Sequence, residues 1–254
     1  MADPAPEPVS GLIAHLLDLR RRLLFGIGAI LFLFVCLLPF TNELFALFAR
    51  PLVAQLPAGG HMIATTVAST FITPVKLAFV AAAFLAAPVI IHQLWRFVAP
   101  GLYAQERRLV VPLLVATVVL FYAGVAFAYT VMFPLAFAFF VSITPPGVVM
   151  MTDIAAYLDF ALAIFFAFGL AFEVPVVTVL VVWAGLATPA KLGALRPYVL
   201  VGCFIVGAVL TPPDVVSQTL LAVPMYLLYE AGILMARLLV PGAREREAQD
   251  RAAP

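Results

Sequence analysis

The sequence predicts an all-α fold, a polytopic membrane protein with six transmembrane helices, and two observations carry that prediction. Composition is the first: 65% of the 254 residues are hydrophobic and 11% are charged, against roughly a quarter charged in soluble domains, and mean hydropathy is +1.15. Arrangement is the second, because the charges gather in short segments that separate apolar runs of spanning length. The formal net charge of +1 decides nothing, since placement outweighs the sum. Cys36 and Cys203 each lie inside an apolar run, where a thiol packs as a small hydrophobe, so no disulfide framework or metal site is expected.

Residues 1–8 contain three prolines and two acids and are expected to be a disordered tail; residues 9–240 then form a single six-helix domain. Ser10 can cap an amphipathic start whose Val9, Leu12, Ile13 and Leu16 share a stripe, leaving His15, Asp18, Arg21 and Arg22 toward water or headgroups. Asp18 and Arg22 are spaced to pair at i,i+4. Arg20-Arg21-Arg22 followed by Leu23 to Phe40 resembles the start of a signal peptide, but there is no small-x-small site before Pro39 and more spans follow. The run therefore reads as the first transmembrane helix. Residues 41–73 are expected to be a loop region, with Pro51, Pro57, Gly59-Gly60 and a short interfacial helix at Leu44 to Phe48.

Helix two is expected from Pro74 to Leu94 with Pro88 inside, and helix three from Pro112 to Phe140 with Pro134 near its end. Each internal proline removes one backbone donor and kinks its helix. Helix four, Tyr157 to Leu186, carries Glu173-Val174-Pro175. Helix five, Pro197 to Leu210, covers only about 20 Å of a core near 30 Å thick. Helix six, Val215 to Ala236, starts with the polar Ser217, Gln218 and Thr219, and residues 241–254 are charged and expected to be a disordered tail.

Six spans put both termini on one side. Of the fourteen basic residues, only Arg50 and Lys76 fall in segments assigned to the outside, so both termini and the Arg96 to Arg108 segment are assigned to the cytoplasm. That segment holds Pro100-Gly101 as a turn and Glu106 as its sole carboxylate.

No catalytic constellation emerges, and no cofactor or metal is expected. His15, His61 and His92 lie on three segments, and no hydrolase elbow, phosphate loop or nucleic-acid patch occurs. Glu173 is the costly residue, because a carboxyl near the bilayer centre must be protonated, paired or wetted. Pro175 adds an acceptor beside it by freeing the carbonyl of Ala171. A purely packing role, with a protonated Glu173 bonded to a neighbouring helix, is the competing explanation. Glu230, near the cytoplasmic end of helix six, can snorkel or pair with Arg237. On these residues a proton-coupled secondary transporter with Glu173 as its titrating group stands as the alternative, and an intramembrane hydrolase stands third.

Four motifs together carry a family resemblance. They are His15-Leu16-Leu17-Asp18-Leu19-Arg20-Arg21-Arg22-Leu23, the loop from Pro100-Gly101-Leu102-Tyr103 to Glu106-Arg107-Arg108, Phe168-Gly169-Leu170-Ala171-Phe172-Glu173-Val174-Pro175, and Thr211-Pro212-Pro213-Asp214-Val215-Val216-Ser217-Gln218. In this order, on six spans, they resemble the TatC family, the signal receptors of the twin-arginine protein translocase. The resemblance implies a concave inner-membrane protein that binds twin-arginine signal peptides of folded cargo. It further implies single-span TatB and TatA partners in a multi-copy complex, surrounding membrane lipid, and export driven by the proton-motive force. By position it implies a signal-binding surface of Asp18, Glu106, Phe97 and Arg20, an intramembrane acid at Glu173, partner docking at Thr211 and Gln218, and a structural first-loop proline at Pro51. Asp18 stands where the family usually has Glu, with the same charge and one methylene less reach.

Overall fold

A backbone crossing lipid must satisfy its own hydrogen bonds, and a helix does so within one segment. The computed structural model describes residues 8–54, 61–98, 107–145, 148, 151–211 and 214–252. Among them are twelve α-helices and no strand: α1 Pro8–Leu37, α2 Thr41–Val53, α3 Ser69–Leu85, α4 Ala87–Val98, α5 Arg107–Phe127, α6 Phe133–Ser142, α7 Ile154–Ala171, α8 Val174–Trp183, α9 Pro189–Ala194, α10 Arg196–Leu210, α11 Val215–Leu239 and α12 Ala243–Ala252. Four stretches are long and apolar enough to cross a membrane: Leu16–Val53, Val111–Ser142, Ile154–Trp183 and Val215–Leu239. The α3 and α4 pair, bent by 46°, supplies a fifth if it is one span, and α10 is a shorter apolar helix. These are the six apolar segments of the sequence in their expected order.

Prolines set the breaks. Pro88 sits in the first turn of α4, where its missing donor is tolerated, and the bend from α3 falls just before it. Pro134 cannot bond back to Thr130, and the turn before it widens into a π segment, Ala128–Met132, closed by the Phe133 N–H on the Ala128 carbonyl. Pro175 opens α8 after a two-residue turn at Phe172 and Glu173.

Two expectations are corrected. Most of the first part of the 41–73 segment is helical, and Pro51 lies buried in the last turn of α2, not in a loop. Apolar Leu44 to Phe48 continues into good helix formers, and a proline there breaks only one bond. The C-terminal stretch is not a disordered tail: Ala243–Ala252 is α12, and its Glu247, only 8% exposed, receives two hydrogen bonds from Arg237 at 3.0 and 2.8 Å. Alternating Arg and Glu are strong helix formers, and one part-buried ion pair anchors them. The expected N-terminal tail, apart from Pro8, lies outside the described residues.

By its internal packing the chain falls into two compact units, Met1–Leu44 with Pro74–Val118 and Phe45–Thr73 with Val119–Pro254. Spans in lipid have no hydrophobic drive to gather into one core, so local packing decides what clusters. In the first unit α1 packs on α4, with Gly26 against Ile90, and Phe34 meets Phe79 edge-on at 5.5 Å. In the second, α11 lies against α8 and α10. A methyl group added to Gly232 would come within 2.9 Å of Thr178 Oγ1 and 3.0 Å of Pro175 Cα, so the approach of α11 to α8 requires glycine. Phe48, Phe133, Tyr157 and Phe165 form the aromatic core of this unit, with ring centroids 4.9 to 6.1 Å apart.

Candidate functional site

The signal-binding candidates of the first unit lie on α1 and α4. Asp18 accepts a hydrogen bond from Arg22 Nε at 2.7 Å, with 43% of the Asp18 side chain and 17% of the Arg22 side chain exposed. The anticipated i,i+4 pair is therefore made. Arg20 is exposed. Phe97, half-buried near the end of α4, joins Arg22 and Leu19 in the wall of an apolar groove of about 180 Å³ that continues along Gly26, Ile30 and Ile90. Phe97 and Arg22 thus meet at one groove, and Asp18 reaches it through Arg22. Glu106 lies outside the described residues.

Glu173 occupies the turn between α7 and α8, with its N–H bonded to the Leu170 carbonyl and its Oε1 fully buried. Its neighbours Ala171 and Val174 line a cavity of about 460 Å³ together with Cys203, Val206, Met225 and Tyr229, and Glu173 itself is not in that wall. The carboxyl is held inside protein at a helix break, where irregular backbone can be sheltered from lipid.

Thr211 and Gln218 flank the turn from α10 to α11. Thr211 is 7% exposed, and both its N–H and its hydroxyl donate to the Gly207 carbonyl at 2.9 Å. It closes the end of α10. Asp214 caps α11 by accepting the Ser217 N–H at 2.7 Å. Gln218 is half-buried, and its backbone faces Gly207 so closely that a methyl there would stand 3.2 Å from the Gln218 carbonyl oxygen.

Pro51 has a specific consequence. Lacking an N–H, it cannot satisfy the carbonyl of Leu47 one turn back, and the Tyr129 hydroxyl donates to that carbonyl at 2.8 Å. Tyr157 donates to the adjacent Phe48 carbonyl at 2.7 Å. Two tyrosines thereby fix the end of α2.

Two clusters escaped the sequence reading. Glu230 does not pair with Arg237: Arg196 donates to it from Nε and Nη2 at 2.6 and 2.8 Å, and the Tyr226 hydroxyl adds a third bond at 2.9 Å. Arg196 and Glu230 are 34 residues apart, beyond any local pattern, although both lie on the predicted cytoplasmic side. Asp153 caps α7 and also accepts the N–H and hydroxyl of Thr65 at 2.9 and 2.7 Å. An Asp directly before an apolar run was a readable cap signal; its partner in the loop was not.

Among the described residues no group of three or more His, Cys, Asp or Glu could hold a metal ion. What remains is a multi-pass helical membrane protein whose polar side chains cluster at helix breaks and ends. The chain belongs to the TatC family: the model of the Sec-independent protein translocase protein (TatC) matches residues 14–224. It is 54% identical to the Sec-independent protein translocase protein TatC of Azotobacter chroococcum mcd 1 over 99% of this chain and 96% of that one. To the protein of that name from Escherichia coli (strain K12) it is 55% identical over 95% and 93%. A crystal structure of the twin arginine translocase receptor TatC superposes with a TM-score of 0.79 at 34% identity, covering 88% of this chain and 98% of the solved one.

Proposed function

We propose that the chain is the core receptor subunit of the twin-arginine translocation system, a multi-pass protein of the cytoplasmic (inner) membrane with both termini in the cytoplasm. It binds twin-arginine signal peptides of folded proteins and works in a multi-copy complex with the single-span subunits TatB and TatA. The proton-motive force drives export, and the chain performs no catalysis. The likeness to a solved twin arginine translocase receptor over 98% of that receptor's length carries this reading.

The chemistry asked of the surface is recognition of two consecutive guanidinium groups by Asp18 and Glu106. A guanidinium fork makes two parallel bonds to a carboxylate, which a Lys ammonium cannot do. Asp18 already holds Arg22 Nε, so an incoming arginine either exchanges with Arg22 or uses the remaining carboxylate lone pairs. Exchange by itself is nearly neutral. Discrimination then requires the second carboxylate and the shelter of Phe97, where a charge-assisted bond contributes about 1.5 to 3 kcal/mol. Thr211 and Gln218 serve as docking positions for a partner helix, Pro51 is a structural proline, and Glu173 is a polar site within the membrane.

Binding of a twin-arginine peptide to the purified protein, beside the same peptide with Lys-Lys, tests the assignment. Glu106→Gln and Glu106→Ala should each weaken the Arg-Arg peptide by about tenfold to a hundredfold, because the amide keeps size and loses charge. Asp18→Glu should be tolerated or improve binding. Unchanged affinity after neutralising both carboxylates, with no Arg-over-Lys preference to lose, would remove them from the receptor surface.

A further inference from the structure

The groove between α1 and α4 has a polarity along its length. α1 leads away from the Arg20 to Arg22 end while α4 leads toward Arg96, so Arg22, Gln93 and Phe97 line one end of the groove and Ile30 and Ile90 the deeper part. Arg20, Arg21 and Arg96 are exposed around the same end. Asp18 offsets one charge and leaves the mouth basic. We propose that this groove holds an acyl chain of an anionic phospholipid from the cytoplasmic leaflet, with the lipid phosphate at Arg22.

Lipid tails gain no hydrophobic energy by entering, since the bilayer is already apolar; they gain the contacts that an empty void forfeits. Discrimination among lipids must therefore come from the headgroup. Basic side chains at a cytoplasmic surface attract anionic lipid, and Asp18 engages Arg22 only through Nε at 2.7 Å, which leaves the Nη donors for phosphate oxygens. The proposal rests on the orientation given above, and its groove shares Phe97 with the proposed signal-binding surface.

Intact-complex mass spectrometry of the full chain in detergent, with equal amounts of phosphatidylglycerol and phosphatidylcholine of matched acyl chains, is the test. The first retained lipid should be phosphatidylglycerol in about tenfold excess. Ile30→Trp, which fills the deep part of the groove, should cut that retention about tenfold, and Phe32→Trp on the exposed face of α1 should match the unaltered protein. Arg22→Gln should retain lipid but lose the preference for phosphatidylglycerol, and this ratio decides alone if Ile30→Trp does not fold. Equal binding of both lipids, a preference that survives Arg22→Gln, or retention that survives Ile30→Trp would each overturn the proposal. If Ile30→Trp abolished binding of a twin-arginine peptide and left lipid retention intact, the groove would belong to the signal peptide. Loss of peptide binding in the Glu106 variants leaves the lipid result standing.

Discussion

Asp153 accepts bonds on both oxygens, from the Thr65 hydroxyl and N–H on one and from the Ala155 and Ala156 N–H groups on the other. These bonds, the Thr65 hydroxyl foremost, lower its pKa from 3.8 to about 2. A folded-state pKa below the unfolded one contributes stability that is complete above the unfolded value and disappears as pH falls through the folded value. The melting temperature in detergent should therefore drop between about pH 4 and pH 2 in the unaltered protein, and Asp153→Asn should flatten the curve across that window. Parallel curves would mean that the clamp contributes nothing. Glycines act at the same scale through space alone. A side chain at Gly124 would collide with the Phe168 carbonyl oxygen, so Gly124→Ala should destabilise by about 1 to 3 kcal/mol through forced separation of α5 and α7. The Gly124 constraint could not be read from the chain, because the obstructing carbonyl lies on another helix.

At the end of α2 a missing donor on one helix is met by a hydroxyl from another segment. Tyr129→Phe should leave the Leu47 carbonyl without its bond, at a cost of about 1 kcal/mol. Pro51→Ala restores an N–H for the same carbonyl, so Tyr129→Phe should cost less in the Pro51→Ala background. Thermal unfolding of the two single variants and the double variant reads this coupling; strictly additive effects would show that Tyr129 and Pro51 act separately. The packing of α11 on α8 depends on Gly232 in a comparable way, and Gly232→Val should lower stability more than Gly202→Val, since nothing lies within 4 Å of a methyl placed at Gly202. The broken span of α7 and α8 follows from Pro175, and the α3 to α4 bend from Pro88, both legible as prolines in apolar runs. Which carbonyl each proline exposed was also legible. What would fill the vacancy at Leu47 was not, because Tyr129 is 82 residues away.

For the molecule as a whole, charge placement predicts the orientation proposed above. With Cys36 and Cys203 replaced, cysteines at Ala58 and Gly147 should react with an impermeant thiol reagent from outside, and cysteines at Ala104 or Ala190 should not; the reverse pattern would invert the topology and with it the proposed signal-binding surface. Hydropathy alone located the six apolar segments, because burial of a backbone in lipid demands apolar helical runs whatever their neighbours. It likewise marked α10 as short, since rise per residue is fixed. Motif order was enough for the family. Tertiary structure alone decided the pairing of Glu230 with Arg196, the folding of residues 243–252 onto Arg237 through Glu247, the burial of Thr211, and the division into two units. Each of these turns on which side chains meet across helices that the sequence separates. Helix formation in lipid is a local requirement and can be read locally, whereas ion pairs, caps and close glycine contacts join distant positions and exist only once the helices have packed.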